Sequence, residues 1–129
     1  MNTLLDAVGK DIDALLAEAT SASPPPVADV VARATGLARR TILACLEGQP
    51  GRPQPAADAD LLAVWKVLVK GEPSWHAIRD NCRELVYYGN CIATGRTDAL
   101  PGAAGRMAAR TARHIFLYTT TRVRQQGRL

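Results

Sequence analysis

Apolar residues recur at intervals of three and four positions along almost the whole chain, and this period constrains the fold more than any other feature. Such spacing places apolar side chains on one face of an α-helix, whereas a half-buried β-strand needs them at alternate positions. No segment has a convincing alternating pattern. The sequence therefore predicts an all-α fold, a single-domain antiparallel bundle of four to five helices.

The first two predicted helices form a hairpin over residues 1–47. The first helix runs from about Asn2, a suitable N-cap, to about Thr20, where the segment "SASPPP" ends it. The second begins near Pro26 and ends at Gly48. The residues predicted to face the core are Leu4, Leu5, Val8, Ile12, Leu15, Leu16 and Ala19 in the first helix, and Val27, Val30, Val31, Ala34, Leu37, Ala38, Thr41, Ile42 and Cys45 in the second.

A segment with three prolines and two glycines, residues 48–57, separates this hairpin from a three-helix segment over residues 58–129. A length of 129 residues suits one domain over 1–129 rather than two. The linker would also allow the hairpin to swap onto a partner chain.

The third predicted helix is short and apolar on nearly every side, with Asp58 as its N-cap. Such a helix is expected to be buried all round, either centrally in the bundle or in an interface. This pattern is one reason to predict a homodimer. Its apolar residues are Leu61, Leu62, Val64, Trp65, Val67, Leu68 and Val69.

The fourth predicted helix begins at Ser74, continues to about Thr94 and contains the dense stretch "SWHAIRDNCRELVYYGNC". One stripe is predicted to face the core, with Gly89 marking a close helix crossing. It consists of Trp75, Ile78, Cys82, Leu85, Val86, Gly89, Ile92 and Ala93. A second stripe on the opposite side consists of His76, Asp80, Arg83, Tyr87 and Cys91.

The second stripe of the fourth helix allows three interpretations. It is a solvated face with ordinary ion pairs, a protein-binding or dimer face suggested by Tyr87 and Arg83, or a ligand or proton-transfer site. For the last, Asp80 would orient His76 and raise its pKa, with His114 of the fifth helix as a further candidate. Cys91 is expected to be exposed at the end of the stripe.

The fifth predicted helix runs from about Ala103 to Arg124 and carries a stripe of arginines. Arg106, Arg110, Arg113 and Arg124 share one side, with Leu117 among them and His114 at the edge. They form either a solvated face or an anion-binding face. The opposite side is predicted to face the core through Ala104, Met107, Ala108, Thr111, Ala112, Ile115, Tyr118 and Thr119.

The net charge of +4 is distributed unevenly along the chain. Residues 1–60 hold five Lys or Arg and eight Asp or Glu, whereas residues 101–129 hold six Arg and no acid. This asymmetry predicts that the basic end meets a negative surface. The candidates are an acidic protein, a nucleic acid and the acidic end of a second copy.

Several site classes lack support in the sequence. His76 and Cys91 would lie about 22 Å apart on one helix, too far to share a metal ion, and HExxH, ExxH and clustered-Cys patterns are missing. Nucleophile and phosphate-loop motifs are also missing, so we expect no metal, no cofactor and no enzyme. No apolar run reaches the roughly 20 residues of a membrane span. The three cysteines suggest free thiols, and a cytoplasmic location is expected.

Together these patterns predict a non-enzymatic protein-interaction or regulatory module, homodimeric, that recognises an acidic partner surface. The predicted recognition residues are His76, Arg83 and Tyr87 on the fourth helix and Arg106, Arg110 and Arg113 on the fifth. One alternative is a nucleic-acid-binding protein that uses the arginine stripe. Another is a small ligand-binding or enzymatic domain built on His76, Asp80 and His114.

Overall fold

The computed structural model describes residues 3–127 and confirms the predicted all-α fold. No strand occurs among those residues. Two short 3-10 helices, Pro73–Ile78 and Thr97–Ala99, flank the fourth α-helix. The predicted N-cap Asn2 lies outside the described residues. The α-helices are α1 (Thr3–Ala19), α2 (Val27–Glu47), α3 (Leu61–Gly71), α4 (Arg79–Ala93) and α5 (Ala104–Gln125).

The central helix of the bundle is α2, which packs against each of the other four α-helices. Helix α5 lies against α2 and has α1 and α4 as its other neighbours. The α1–α5 contact is close at Gly9, where an added Cβ would lie 2.8 Å from the Phe116 ring. The apolar core draws side chains from all five α-helices, while the assignment of residues 1–129 to a single domain stays a prediction.

Most of the predicted core positions of α1, α2 and α5 are buried. Cys45 is fully buried, as expected, and so are the alanines that α5 turns inward. Leu4 is the main exception, because 52% of its surface is exposed. A shallow cleft lined by Leu43 separates Leu4 from α2 at the start of α1, so no neighbouring helix covers it.

Helix α3 begins two residues later than predicted. Its N-cap is Asp60, whose Oδ1 accepts a hydrogen bond of 2.9 Å from the backbone N–H of Ala63. The Arg39 guanidinium donates to the carbonyls of Ala57 and Ala59, at 2.9 and 2.7 Å. These bonds hold the chain around Asp58 outside the helix, so the prediction of Asp58 as the cap was wrong.

The predicted burial of α3 on every side does not occur within the chain, while its burial in an interface with a second copy stays a prediction. Leu61, Val64, Trp65 and Leu68 are buried, but Leu62, Val67 and Val69 are only partly buried. Lys66 and Lys70 are exposed on the outer side. The helix lies at the edge of the bundle against α2 and α4, so one of its sides has no neighbouring helix.

The predicted fourth helix is interrupted before Arg79, because residues 73–78 form a 3-10 helix. The Trp65 indole N–H donates to the carbonyl of Trp75 at 2.9 Å, and the Tyr118 hydroxyl donates to the carbonyl of Ser74 at 2.9 Å. In an α-helix these carbonyls would accept from backbone N–H groups four residues on. In the 3-10 helix carbonyls accept from N–H groups three residues on, these two carbonyls also have the tertiary donors, and α4 starts only at Arg79.

The buried side of α4 differs from the predicted stripe. Tyr88 and Cys91 are buried, whereas Ala93 is exposed and Val86 and Ile92 are only partly buried. The buried arc extends toward α5, which packs beside Tyr88. Gly89 does not mark a close crossing, since an added Cβ there would meet nothing within 4 Å.

The Pro/Gly-rich segment is tied to the bundle by Arg52. Its guanidinium donates to the carbonyls of Val67 and Leu68, both at 2.7 Å, and lies 3.4 Å from the Glu72 carboxylate. Glu72 follows α3 directly and also accepts a bond of 3.2 Å from the Trp75 indole N–H. One cation therefore joins the segment, the end of α3 and the following 3-10 helix.

We expect Arg52→Ala to lower the free energy of unfolding by about 2–4 kcal/mol, because two carbonyls and the partly buried Glu72 carboxylate lose a charged donor. Arg40→Ala is the matched control. It removes an exposed ion pair with Asp11 at 3.1 Å, and such pairs contribute less than about 1 kcal/mol. Urea unfolding followed by circular dichroism measures both. Equal losses in the two variants would contradict this account of the segment.

Candidate functional site

A carboxylate between α4 and α5 sets how these two helices face each other. Glu84 accepts a hydrogen bond of 2.7 Å from the Thr111 hydroxyl on α5. Its other oxygen accepts one of 2.6 Å from the Tyr88 hydroxyl, one turn along α4. Burial, and then this bond to Glu84, raise the pKa of Tyr88. Glu84 and Thr111 thus lie at the same level of the bundle.

The polar stripes of α4 and α5 flank the same seam. At 100° per residue, Tyr87 lies about 60° around α4 from Glu84, and His114 lies about 60° around α5 from Thr111. Arg83 lies about 100° around α4 from Glu84, and Arg110 lies about 100° around α5 from Thr111. All four are exposed and all four rotations lead toward solvent. The two stripes therefore combine into a single surface.

The arginines of this surface differ from the others in having no partner. Within residues 3–127, five of the twelve arginines have neither an ion pair nor a side-chain hydrogen bond, and all five belong to the two stripes. These five are Arg83, Arg106, Arg110, Arg113 and Arg124. The remaining seven contact carboxylates, carbonyls or hydroxyls, and they are Arg33, Arg39, Arg40, Arg52, Arg79, Arg96 and Arg122.

Two large apolar side chains are exposed on the same surface. Tyr87 is 51% exposed and Leu117 is 43% exposed, and Leu4 is the third large apolar side chain classed as exposed in the described part of the chain. From Arg106 to Arg124 the surface extends about 27 Å along α5, at 1.5 Å per residue. We define the basic face as Arg83, Tyr87, Arg106, Arg110, Arg113, Leu117 and Arg124.

Cys91 is buried rather than exposed, contrary to the prediction. Only 7% of its surface is accessible, and the N–H of Arg96 donates to its carbonyl at 2.6 Å, which brings the chain after α4 back over it. Hydrogen bonding with Cys91 raises the pKa of the Tyr87 hydroxyl, so the two side chains are neighbours. The second stripe of α4 therefore ends at Tyr87, beside a buried thiol.

Among the described residues, no hydrogen bond or ion pair joins the predicted candidates His76, Asp80 and His114 to one another. His76 lies on the 3-10 helix, where its ring packs edge-on against Trp65 of α3 at 5.5 Å between centroids. The ion-pair partner of Asp80 is Arg79, at 3.5 Å. His114 is exposed on α5, at the edge of the basic face. His76 is thus directed toward α3 and does not join the basic face.

A cleft of about 480 Å³ lies at the end of the bundle where α5 begins. The α1–α2 connection, with Pro24 and Pro25, forms one wall, and Leu100 and Pro101 form another. Arg106 lines the cleft and also belongs to the basic face, so the two features are continuous. This cleft could not be predicted from the sequence, because its walls come from segments that are distant along the chain.

Comparison of the chain with protein-family models, with curated proteins and with solved structures found no match. In the described range 3–127, no group of three His, Cys, Asp or Glu side chains is arranged to hold a metal ion. No helix in that range is both long and apolar enough to cross a bilayer. Function is therefore inferred from the geometry of the basic face.

All three cysteines are expected to resist a thiol reagent in the folded protein at pH 8. Each is buried, and burial raises the pKa of Cys82 to about 12, which keeps that thiol protonated. Tyr87→Ala should make Cys91 reactive by removing the ring beside it, while Tyr87→Phe keeps the ring and should not. Titration with a chromogenic disulfide, before and after denaturation, counts the reactive thiols. Rapid reaction of Cys91 in the wild type would contradict its burial.

Proposed function

We propose that this chain is a protein-interaction module whose basic face binds an acidic protein surface. The observation that supports the proposal most is the segregation of arginines. The five that lack an internal partner are all on one face, and that face also holds Tyr87 and Leu117. Other arginines of the chain are used within the fold, as Arg52 and Arg39 are.

An unpaired arginine on a helix face contributes little to stability, since its guanidinium is already hydrated. Its planar group of donors is suited to a partner's carboxylate, which it can bind through two parallel hydrogen bonds. Free arginines also attract a negative partner over distances of about 8–10 Å at moderate salt. The electrostatic part of recognition is thus available without breaking any contact inside the protein.

Tyr87 and Leu117 favour a protein partner. Tyr and Arg are enriched in protein interfaces, where an aromatic side chain buries a large area and supports the charged contacts around it. Burial of the two exposed apolar side chains would stabilise a complex in addition to charge attraction.

Nucleic acid is the second candidate, because four of the free arginines follow α5 for about 27 Å. Tyr87 is the one aromatic residue of the face as defined, so the face has no row of rings on which bases could stack. Leu117, in the middle of the stripe, is apolar and would gain nothing from contact with a charged phosphate backbone. The composition of the basic face therefore favours a protein.

Affinity capture from a nuclease-treated lysate of the source organism tests the proposal. The wild-type protein should retain a defined protein with an acidic surface, which mass spectrometry identifies. The triple variant Arg106→Gln, Arg110→Gln and Arg113→Gln should lose at least about tenfold of it. The control Arg33→Gln, Arg40→Gln and Arg96→Gln has the same net charge but alters paired arginines, and it should retain the protein.

Two results would contradict the proposal. One is undiminished capture by the basic-face variant, since the arginines would then be irrelevant. The other is recovery of nucleic acid instead of protein when nuclease is omitted, with a steep loss between low and physiological salt, which supports the second candidate.

A further inference from the structure

An acidic strip lies beside the basic face, on α1. Asp6 and Asp13 are exposed, and neither has an ion-pair partner within residues 3–127. The other two acids of α1 pair with α2, Asp11 with Arg40 and Glu18 with Arg33. Asp6 and Asp13, seven residues apart, lie about 10 Å from each other on the same side of the helix.

The acidic strip and the basic face flank the seam between α1 and α5. The Gly9–Phe116 contact joins the middle of α1 to α5, and one cleft is lined by both Ala19 and Ala104. These two pairings show that α1 and α5 run antiparallel. They place Asp13 at the level of residues 112–113 of α5, and Asp6 near residue 119.

Rotation around each helix brings the opposite charges to the same side of the seam. Asp13 lies about 40° from Gly9 toward solvent, and Arg113 lies about 60° from Phe116 toward solvent. Lys10 is about 40° beyond Asp6 on the same solvent side of α1, so this side holds two carboxylates and one ammonium and has a net charge of −1. The molecule thus presents a negative strip and a positive strip next to each other.

We propose that the acidic surface bound by the basic face belongs to a second copy of this chain. This inference rests on the proposed function and names the partner. Adjacent strips of opposite charge are complementary to themselves under a two-fold axis that follows the seam. Such an axis places α1 of one copy over α5 of the other at the same level. Asp13 of one copy then faces Arg113 of the other, and Asp6 faces the segment between Leu117 and Arg124.

The size of this surface sets the strength of the dimer. Two helices about 10 Å apart and about 27 Å long cover roughly 500 Å² per chain, or about 1,000 Å² in total, at the low end of specific interfaces. Ala17, small and exposed on α1, lies at the level of residue 108 of α5 and allows the helices of the two copies to approach closely there. Because charge pairs dominate, the dimer is weak and dissociates as salt screens them.

A charge-exchange experiment tests the proposal. The acidic-strip variant carries Asp6→Lys and Asp13→Lys, so both strips are positive. The basic-face variant carries Arg106→Glu, Arg110→Glu and Arg113→Glu, so both strips are negative. The control carries Glu47→Lys and Asp58→Lys, with the same charge change as the first variant at exposed positions off both strips.

Sedimentation equilibrium at low ionic strength should give wild-type and control dimers of twice 13.8 kDa that dissociate at about 1 M salt. Each strip variant alone should dissociate at least about tenfold more readily. An equimolar mixture of the two variants should form heterodimers, because both contacts become attractive again. Recovery in the mixture also shows that both variants are folded.

A wild-type protein that stays monomeric to about 1 mM at low ionic strength would overturn the inference. The proposed function would still stand if the basic face captured a different acidic protein. A dimer that the acidic-strip variant leaves as strong as the control does would also overturn it, because the chains would then associate through another surface. If capture and association are both insensitive to the basic-face arginines, the proposed function fails as well.

Discussion

The Glu84 carboxylate holds α4 and α5 in register, and the basic face depends on that register. It accepts hydroxyl hydrogen bonds from Thr111 on α5 and from Tyr88 on its own helix. A partly buried carboxylate is costly to leave without donors, so the two bonds fix the level at which the helices meet. Tyr87 and Arg83 are brought beside His114 and Arg110 as a result. If α4 were turned about its axis by one residue position, about 100°, Arg83 would no longer lie beside the seam between α4 and α5.

A second constraint, the pair of tryptophans, determines which predicted residues are excluded from that face. The Trp65 indole N–H donates to the carbonyl of Trp75, which belongs to the 3-10 helix found where the first turn of the fourth helix was predicted. His76 packs against Trp65, and no hydrogen bond or ion pair joins it to Asp80 among the described residues. The chemistry that the sequence suggested for His76 and Asp80 depended on α-helical spacing, and the 3-10 helix over residues 73–78 does not provide it.

The features that follow from local periodicity were predictable from the sequence. The arginine stripe of α5 is one, because a long uninterrupted helix places residues 106, 110, 113 and 124 on the same side whatever its neighbours are. Burial of Tyr88 and Cys91 was not predictable, because it depends on which side of α4 faces α5. The absence of partners for Arg83 could not be predicted either, since ion pairs such as Arg52 with Glu72 join residues distant in sequence. Glu84 had only a weak signal, its position one turn before Tyr88.

Photocrosslinking at the exposed apolar residues tests the central claim, that a protein partner covers the α5 part of the basic face. Benzoylphenylalanine can replace Tyr87, Leu117 or Leu4 singly, since these are large, exposed side chains. We expect a protein to be crosslinked from position 117 and not from position 4, which lies away from the basic face, and position 87 on α4 reports whether the partner extends beyond α5. The absence of a crosslinked protein at position 117, or crosslinking from position 4 alone, would contradict the account.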